Sequence, residues 1–217
     1  MFTYIAVLDY NHLDNGVFLT AIGRALAQQS GNIRAILIHG DSEYTERLIQ
    51  TGMMRSDARN RSIKDLNHRL VALFADQGVS VVGINGYQRE FITRKGGALD
   101  FDHSFYKSLP SKSVLLLSNL VMDAETDIVE PVELPNYLNF LRSEIEPDEA
   151  FLFSVKKSDE VIKNNELEDT LRWDEMDTNL KETYIPEEFH HYNKEIRLIN
   201  AQSFGNLPEQ NRGCKIY

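Results

Sequence analysis

Continuous apolar runs alternate along this chain with segments whose apolar residues recur every three or four positions. The runs are rich in β-branched and aromatic residues and lack the polar alternation of a half-exposed strand, so they indicate strands that are buried on both faces. The predicted strands cover residues 2–8, 33–39, 79–84, 113–121 and 150–155, with short strands at 196–199 and 214–217.

Helical periodicity is clearest in residues 62–77, where one apolar stripe runs along the segment. Asp14 is predicted to cap an earlier helix, and Gly31 is predicted to end it. Residues 156–185 are polar and show no clear period. The further predicted helices cover residues 17–26, 43–50, 101–109 and 134–145.

Strands that alternate with helices of this length form crossover units, so we expect an α/β fold with a mainly parallel sheet that is covered on both faces. Ligands of such sheets bind beyond the carboxyl ends of the strands. The loops at that edge would be residues 9–15, 40–43, 85–89 and 119–127. A binding or catalytic site is therefore expected to be built from these loops.

Composition narrows the class of protein further. The chain has 217 residues, a net charge of -10 and one cysteine, Cys214. The acidic balance disfavours a nucleic-acid partner, and a single cysteine excludes a disulfide framework. No apolar run reaches the roughly 18 residues that a membrane helix needs, so no membrane association is expected. The first residues lack the basic flank of a signal peptide, and we expect a cytoplasmic location.

The charge is unevenly distributed. Residues 144–188 contain 15 acidic and 5 basic residues, which equals the whole net charge, so an anion should prefer the first half of the chain. No phosphate-binding loop, dinucleotide-binding glycine pattern, nucleophile elbow or zinc-protease motif occurs. His190 and His191 are predicted to lie on the surface, and no metal site is predicted. His12 lies at a predicted ligand-binding edge after the first strand, where in the absence of a partner it would be a turn residue.

Four stretches of the sequence resemble the amino acid kinase family, and N-acetylglutamate kinase in particular. They read AILIHGDSEYTERLIQTGMMRSD, LVALFADQGVSVVGINGYQ, SVLLLSNLVMD and EIRLINAQSF, the last with a closing GCKIY. The resemblance implies a three-layer αβα sandwich and a single domain over residues 1–217. An acceptor-side lobe would cover about residues 1–130, and a reduced, acidic nucleotide-side lobe about 131–217. It also implies a homodimer with the helix at 62–77 in its interface.

The resemblance is weakest where family members bind phosphate. Relatives carry a Lys and a Gly-Gly pair at the end of the first strand, whereas this chain places Asp9 there. The second glycine-rich turn of relatives is reduced to Gly40, followed by Asp41, Ser42 and Glu43. Phosphoryl transfer depends on positive charge and close backbone N–H groups, so these changes predict a lost or strongly altered phosphoryl-transfer activity.

The resemblance also assigns individual residues. Substrate-binding positions are Gly40, Arg55, Asn85 and Gly86, and the Arg55 guanidinium would hold a substrate carboxylate through two parallel hydrogen bonds. Lys181 and Glu133 stand where the family has a phosphate-neutralising Lys and a catalytic Asp. No nucleotide-binding residue is assigned, and ATP with Mg²⁺ is expected as a cofactor only if the chain is active.

Three hypotheses follow for the function. The first is a catalytically degraded homologue that binds a small carboxylate or an acylated amino acid, or that serves as a regulatory or structural dimer. The second is an active ATP-dependent kinase that phosphorylates the carboxylate of an acylated amino acid, using Lys181 and Glu133. The third is an unrelated α/β binding module that shares only the alternation of strands and helices.

Overall fold

A computed structural model describes residues 1–29, 32–156, 170–207 and 213–217 of the chain. The strands are β1 Phe2–Leu8, β2 Ile33–His39, β3 Val81–Asn85, β4 Ile92–Lys95, β5 Ala98–Phe101, β6 Val114–Ser118, β7 Leu120–Asp123, β8 Val129–Pro131, β9 Glu149–Phe153, β10 Thr170–Leu171, β11 Ile196–Ile199 and β12 Cys214–Ile216. The helices are α1 Tyr10–Leu13, α2 Gly16–Gln28, α3 Tyr44–Gln50, α4 Arg55–Asp76, α5 His103–Ser108, α6 Leu134–Ile145, α7 Thr178–Tyr184 and α8 Ala201–Phe204.

The main sheet has eight strands in the order β10-β12-β11-β9-β1-β2-β6-β3. Its strand pairs are parallel except for β11 with β12. A smaller sheet of four strands has the order β5-β4-β7-β8. The predicted α/β class with a mainly parallel sheet is confirmed.

Side chains of the central strand β1 alternate between two hydrophobic clusters, one on each face of the sheet. Ile5 and Val7 belong to a cluster that includes buried residues of α6. Tyr4, Ala6 and Leu8 belong to a second cluster that includes buried residues of α2 and α4. Helices therefore cover both faces, as the continuous apolar runs predicted, and the layers are those of an αβα sandwich.

Two predicted helix starts are wrong. Asn15, not Asp14, caps α2, because its side-chain oxygen accepts the backbone N–H of Phe18 at 3.1 Å. Helix α4 begins at Arg55, seven positions before its predicted start at residue 62, since its first two turns are polar and carry little apolar signal. The predicted helix end at Gly31 lies outside the described residues.

The predicted strand at residues 113–121 is two strands, and Asn119 separates them. The Asn119 backbone N–H donates to the carbonyl of His39 at 2.9 Å, and its side-chain amide donates to the carbonyl of Val132 at 2.7 Å. These bonds turn the chain from the main sheet at β6 into the smaller sheet at β7. In the described part of the chain, no helix is long and apolar enough to cross a membrane.

Candidate functional site

Buried polar residues collect where the parallel strands of the main sheet end. Asp9 follows β1, Asn119 follows β6 and Ser154 follows β9, while His39 is the last residue of β2. All four side chains are at most 7% exposed. Polar groups are costly to bury unless they are hydrogen-bonded, so their concentration at one edge marks it as the candidate site.

Asp9 lies at the centre of this edge and is fully buried. One of its carboxylate oxygens accepts the backbone N–H of Asn11 at 3.0 Å, which caps α1. The other is in short contact with Nδ1 of His12, whose Nε2 lies 3.1 Å from the carbonyl oxygen of Ser154. His12 therefore has partners in the fold, and its ring links the ends of β1 and β9.

A cavity of about 570 Å³ opens beside Asp9, between residues 9–11 and residues 186–191. Glu188 reaches it from a short 3-10 helix, Glu187–Phe189. Burial and, to a smaller extent, the neighbouring Asp9 carboxylate raise the pKa of the Glu188 carboxyl to about 8. Oε1 of Glu188 is buried without a hydrogen-bond partner among the described residues. This side of the cavity therefore carries a protonated Glu188 carboxyl group at neutral pH.

Arg59 brings a cation to the same edge. Its Nε donates to Oδ2 of Asp41 at 3.1 Å, and its Nη2 lies 3.6 Å from Oε1 of Glu133. The guanidinium thus bridges the loop after β2 and the start of α6. Asp41 and Glu133 share the positive charge of Arg59, so the net charge of these three side chains is not positive.

Further acidic residues surround Tyr10, which lines the cavity on the surface side. Partial burial raises the pKa of the Tyr10 hydroxyl, and the negative charges of Asp41, Glu43 and Glu46 raise it further. The electrostatic potential of the cavity mouth is therefore negative, which disfavours a highly charged anion such as a triphosphate there.

A neutral histidine supports the edge from within the sheet. His39 is fully buried, and burial lowers its pKa to about 4. Its Nδ1 lies 3.0 Å from the carbonyl of Gly40, and its Nε2 lies 3.0 Å from the side-chain amide of Asn67. The amide nitrogen of Asn67 can only donate, so Nε2 of His39 accepts and Nδ1 carries the proton. This network fixes the end of β2 against α4.

Two of the residues assigned by the resemblance lie together at this edge. Gly40 packs against Asn119 and Leu134, where a Cβ atom would lie 3.2 Å from the Asn119 amide nitrogen. Glu133 contributes to the bridge with Arg59. The ammonium of Lys181, on α7, donates to the carbonyl of His190 at 3.4 Å, and His190 lines the cavity.

The other three assigned residues make different contacts. Arg55 pairs with Glu46 at 3.0 Å on the surface, where its side chain is 72% exposed. The Asn85 side-chain oxygen accepts the hydroxyl of Ser118 at 2.9 Å. Gly86 packs against the backbone of β7, and a Cβ atom there would lie only 2.5 Å from the carbonyl oxygen of Leu120.

Sequence reasoning missed Arg59 and Glu188. Arg59 lies one helical turn after Arg55, so the correct start of α4 would have placed both on the same helix face. No sequence signal marks Glu188, because its burial depends on how the 3-10 helix packs against the loop after β1. Among the described residues, no group of three or more potential ligands could hold a metal ion.

Replacing Gly86 by alanine is expected to destabilise the fold by roughly 1–3 kcal/mol, because the added methyl group would overlap a backbone carbonyl that cannot move freely. Urea unfolding measures the loss. Gly16→Ala is the matched control, because a Cβ atom at Gly16 meets nothing within 4 Å. An unchanged unfolding midpoint in Gly86→Ala would contradict the packing role.

The fold is shared with several small-molecule kinases and related enzymes. Isopentenyl phosphate kinase is 16% identical, with a TM-score of 0.63 over 99% of this chain and 100% of that chain. N-acetylglutamate synthase from Neisseria gonorrhoeae is 15% identical, with a TM-score of 0.64 over 99% of this chain and 59% of that chain. Aspartate kinase from Synechocystis is 9% identical, with a TM-score of 0.69 over 100% of this chain and 40% of that chain.

These similarities establish the fold, which is that of amino-acid-kinase-like proteins, and at such identities they establish the fold alone. This chain spans 59% of the synthase chain and 40% of the aspartate kinase chain. No protein-family model and no curated protein matches the sequence. The particular resemblance to N-acetylglutamate kinase remains a prediction.

Proposed function

We propose that this chain is a catalytically degraded relative of the small-molecule kinases that share its fold, and that it binds a small carboxylate without phosphorylating it. The observation that carries the proposal is the charge of the sheet edge. The first strand ends in the buried carboxylate of Asp9, and the guanidinium of Arg59 is already engaged by Asp41 and Glu133.

A triphosphate with Mg²⁺ does not fit this set of side chains. Phosphoryl transfer requires donors and cations aimed at the transferring group, and the loss of one such donor typically costs about 3–4 kcal/mol of barrier. Here the β1 end supplies an acceptor-only carboxylate, and the cavity beside it carries Glu188. The end of β1 therefore offers acceptor oxygens where phosphate oxygens would need hydrogen-bond donors, and the Arg59 cation at this edge is already held by Asp41 and Glu133.

A small carboxylate fits Arg59 better. The guanidinium already binds two carboxylates, and the ion pair with Glu133 is long, at 3.6 Å, with the Glu133 side chain 62% exposed. An incoming carboxylate can therefore replace Glu133 and form two parallel bonds with the guanidinium. We move the proposed carboxylate-binding role from Arg55 to Arg59, because Arg55 pairs with Glu46 on the surface.

Glu133→Gln is expected to raise the affinity for N-acetylglutamate about two- to fivefold, because it removes an exposed competitor for the Arg59 guanidinium. Isothermal titration calorimetry measures the change. Glu130→Gln is the matched control, since Glu130 pairs with Arg94 on the small sheet, at 3.4 Å. Arg59→Gln should abolish the binding.

The other possible results of these experiments distinguish the carboxylate-binding proposal from the hypothesis of an active kinase. If Glu133→Gln leaves the affinity unchanged, or if the wild-type chain binds no small carboxylate, the role of Arg59 is wrong. Formation of a phosphorylated product from ATP, lost in Lys181→Met and Glu133→Gln, would instead support the active kinase. The expected homodimer is tested separately by analytical ultracentrifugation.

A further inference from the structure

Strand β3 lies at one end of the main sheet and, among the described strands, pairs with β6 alone. The backbone N–H of Val114 donates to the carbonyl of Ser80 at 2.8 Å, and the register pairs Val81 with Val114. Backbone groups of successive residues point to opposite sides of a strand, so the N–H and C=O groups of Val81 and Gly83 point away from β6. In the described part of the chain they have no hydrogen-bond partner on that side, so this edge is open to another strand.

Gly83 lies in the middle of this edge and is exposed. A Cβ atom at Gly83 would lie 2.5 Å from Val71 and 2.6 Å from the side-chain oxygen of Asn67, both on α4. Helix α4 therefore packs directly on the backbone of Gly83 on one face of the sheet. Because Gly83 has no side chain, its outward N–H and C=O groups remain accessible beside the helix.

A groove of about 680 Å³ is lined by residues 82–84 of this strand. Its apolar walls include Ile84, Phe105 and Leu109. These side chains belong to, or pack against, the hydrophobic cluster that includes buried residues of α6, so the walls are fixed by the core. The groove thus combines unpaired backbone groups with a place for apolar side chains, which are the two features that the addition of a strand to a sheet uses.

Two cations flank the groove, although the net charge of the chain is -10. Arg89 lines it, and its guanidinium carbon lies 5.6 Å from the centre of the Phe105 ring. The ammonium of Lys64, on α4, lies 5.0 Å from the centre of the Tyr87 ring, which also lines the groove. Within the described ranges, neither cation forms an ion pair and no acidic residue lines the groove. The groove is therefore complementary to a negatively charged partner.

We propose that the free edge of β3 binds an extended, acidic segment of a partner protein as an additional strand. The segment pairs its backbone with Val81 and Gly83, packs apolar side chains in the groove and places carboxylates next to Arg89 and Lys64. A second copy of β3 fits this place less well, because its sequence VVGIN brings no carboxylate to the two cations. The surface is separate from the Arg59 site, so the proposal does not depend on the proposed function.

Calorimetric titration of the full chain with a synthetic peptide tests the binding. The probe is an acetylated and amidated peptide of about six residues in which glutamate alternates with valine. We expect saturable binding of one peptide per chain, weaker at high salt because exposed charges are screened. The same peptide with lysine in place of glutamate, or with every backbone nitrogen methylated, should not bind. Absent binding of the acidic peptide, or equal binding of either control peptide, would overturn the proposal.

Val81→Pro tests the backbone pairing from the side of this chain. Proline removes the outward N–H at the first residue of β3, while the N–H groups that bond to β6 belong to other residues. The acidic peptide should bind about fivefold more weakly or worse, whereas Val81→Thr, which keeps the N–H, should bind it like the wild type. Urea unfolding checks that both variants fold, and the methylated peptide decides the question if Val81→Pro does not. Unchanged affinity in a folded Val81→Pro protein would contradict the pairing.

Arg89→Gln tests the charge complementarity. It should weaken binding of the acidic peptide about two- to fivefold and reduce the salt dependence, as expected for an exposed ion pair. Arg47→Gln is the matched control, because Arg47 is an exposed arginine that pairs with Glu43 at 4.0 Å near α3. Equal effects of the two substitutions would show that Arg89 has no specific role.

Analytical ultracentrifugation tests whether a second copy of the chain occupies the edge instead. Val81→Pro should leave the sedimentation coefficient of the wild-type chain unchanged. Dissociation of a wild-type dimer by Val81→Pro, with Val81→Thr still dimeric, would assign the edge to a second copy and overturn the proposal.

Discussion

Replacing Glu188 by glutamine is expected to stabilise the folded chain by about 3 kcal/mol at pH 7. Burial, and then the neighbouring charges of Asp9, Glu133 and Asp41, raise the pKa of Glu188 from 4.5 to about 8. At pH 7 the unfolded chain ionises this carboxyl group while the folded chain keeps it protonated. Glutamine resembles the protonated form and removes this difference.

The pH dependence of the gain follows from the same pKa values. Below pH 4.5 both states are protonated, so Glu188→Gln should then have little effect. The gain should grow as the pH rises from 4.5 and reach its full size near 8. Thermal and urea unfolding across this range measure it. Glu187→Gln, an exposed neighbour on the same 3-10 helix, is the control. A destabilised Glu188→Gln protein at pH 7 would refute the prediction.

Acid is expected to remove about 3 kcal/mol of stability through His39 alone. Burial lowers the pKa of His39 from 6.5 to about 4, against a smaller opposing effect of the Gly40 carbonyl. As the pH falls from 6.5 towards 4, His39 becomes protonated in the unfolded chain but stays neutral in the folded chain. The stability from the neutral ring is therefore complete above pH 6.5 and lost towards pH 4.

The Glu188 carboxyl group and the His39 imidazole change the stability in opposite directions over an overlapping pH range. The stability curve of the wild-type chain therefore cannot separate the two effects. Unfolding of His39→Gln in the Glu188→Gln background isolates the histidine. The parent protein should lose about 3 kcal/mol relative to this variant between pH 6.5 and 4. His103→Gln, which alters an exposed ring, serves as control. Parallel curves for the parent and the His39 variant would contradict a buried neutral His39.

The sheet could be predicted from the sequence because its central strands are continuous apolar runs. Strands buried on both faces leave a strong local signal, and β1 and β2 have the predicted bounds. The edge that carries the candidate site also follows from the fold class, since parallel strands present their loops together. Gly40 lies in the predicted loop after β2 and packs there against Asn119, while the roles that the resemblance gives to Gly40 and Glu133 stay predictions.

Side-chain partners could not be predicted in the same way, because they depend on tertiary packing. The polar first turns of α4 hide its start, and Met54 caps it without a side-chain bond, so Arg59 could not be placed. An apolar run continues on both sides of Asn119, which concealed the break between β6 and β7. Only the Asp9–His12 contact had a local signal, a three-residue spacing directly after a strand.

The charge of the β1 edge is tested most directly by a calorimetric titration of the wild-type chain with ATP and Mg²⁺. Asp9 and Glu188 line the cavity at the end of β1, and Arg59 is held by Asp41 and Glu133. We expect no saturable heat of binding at millimolar nucleotide. Saturable binding at one nucleotide per chain would contradict it.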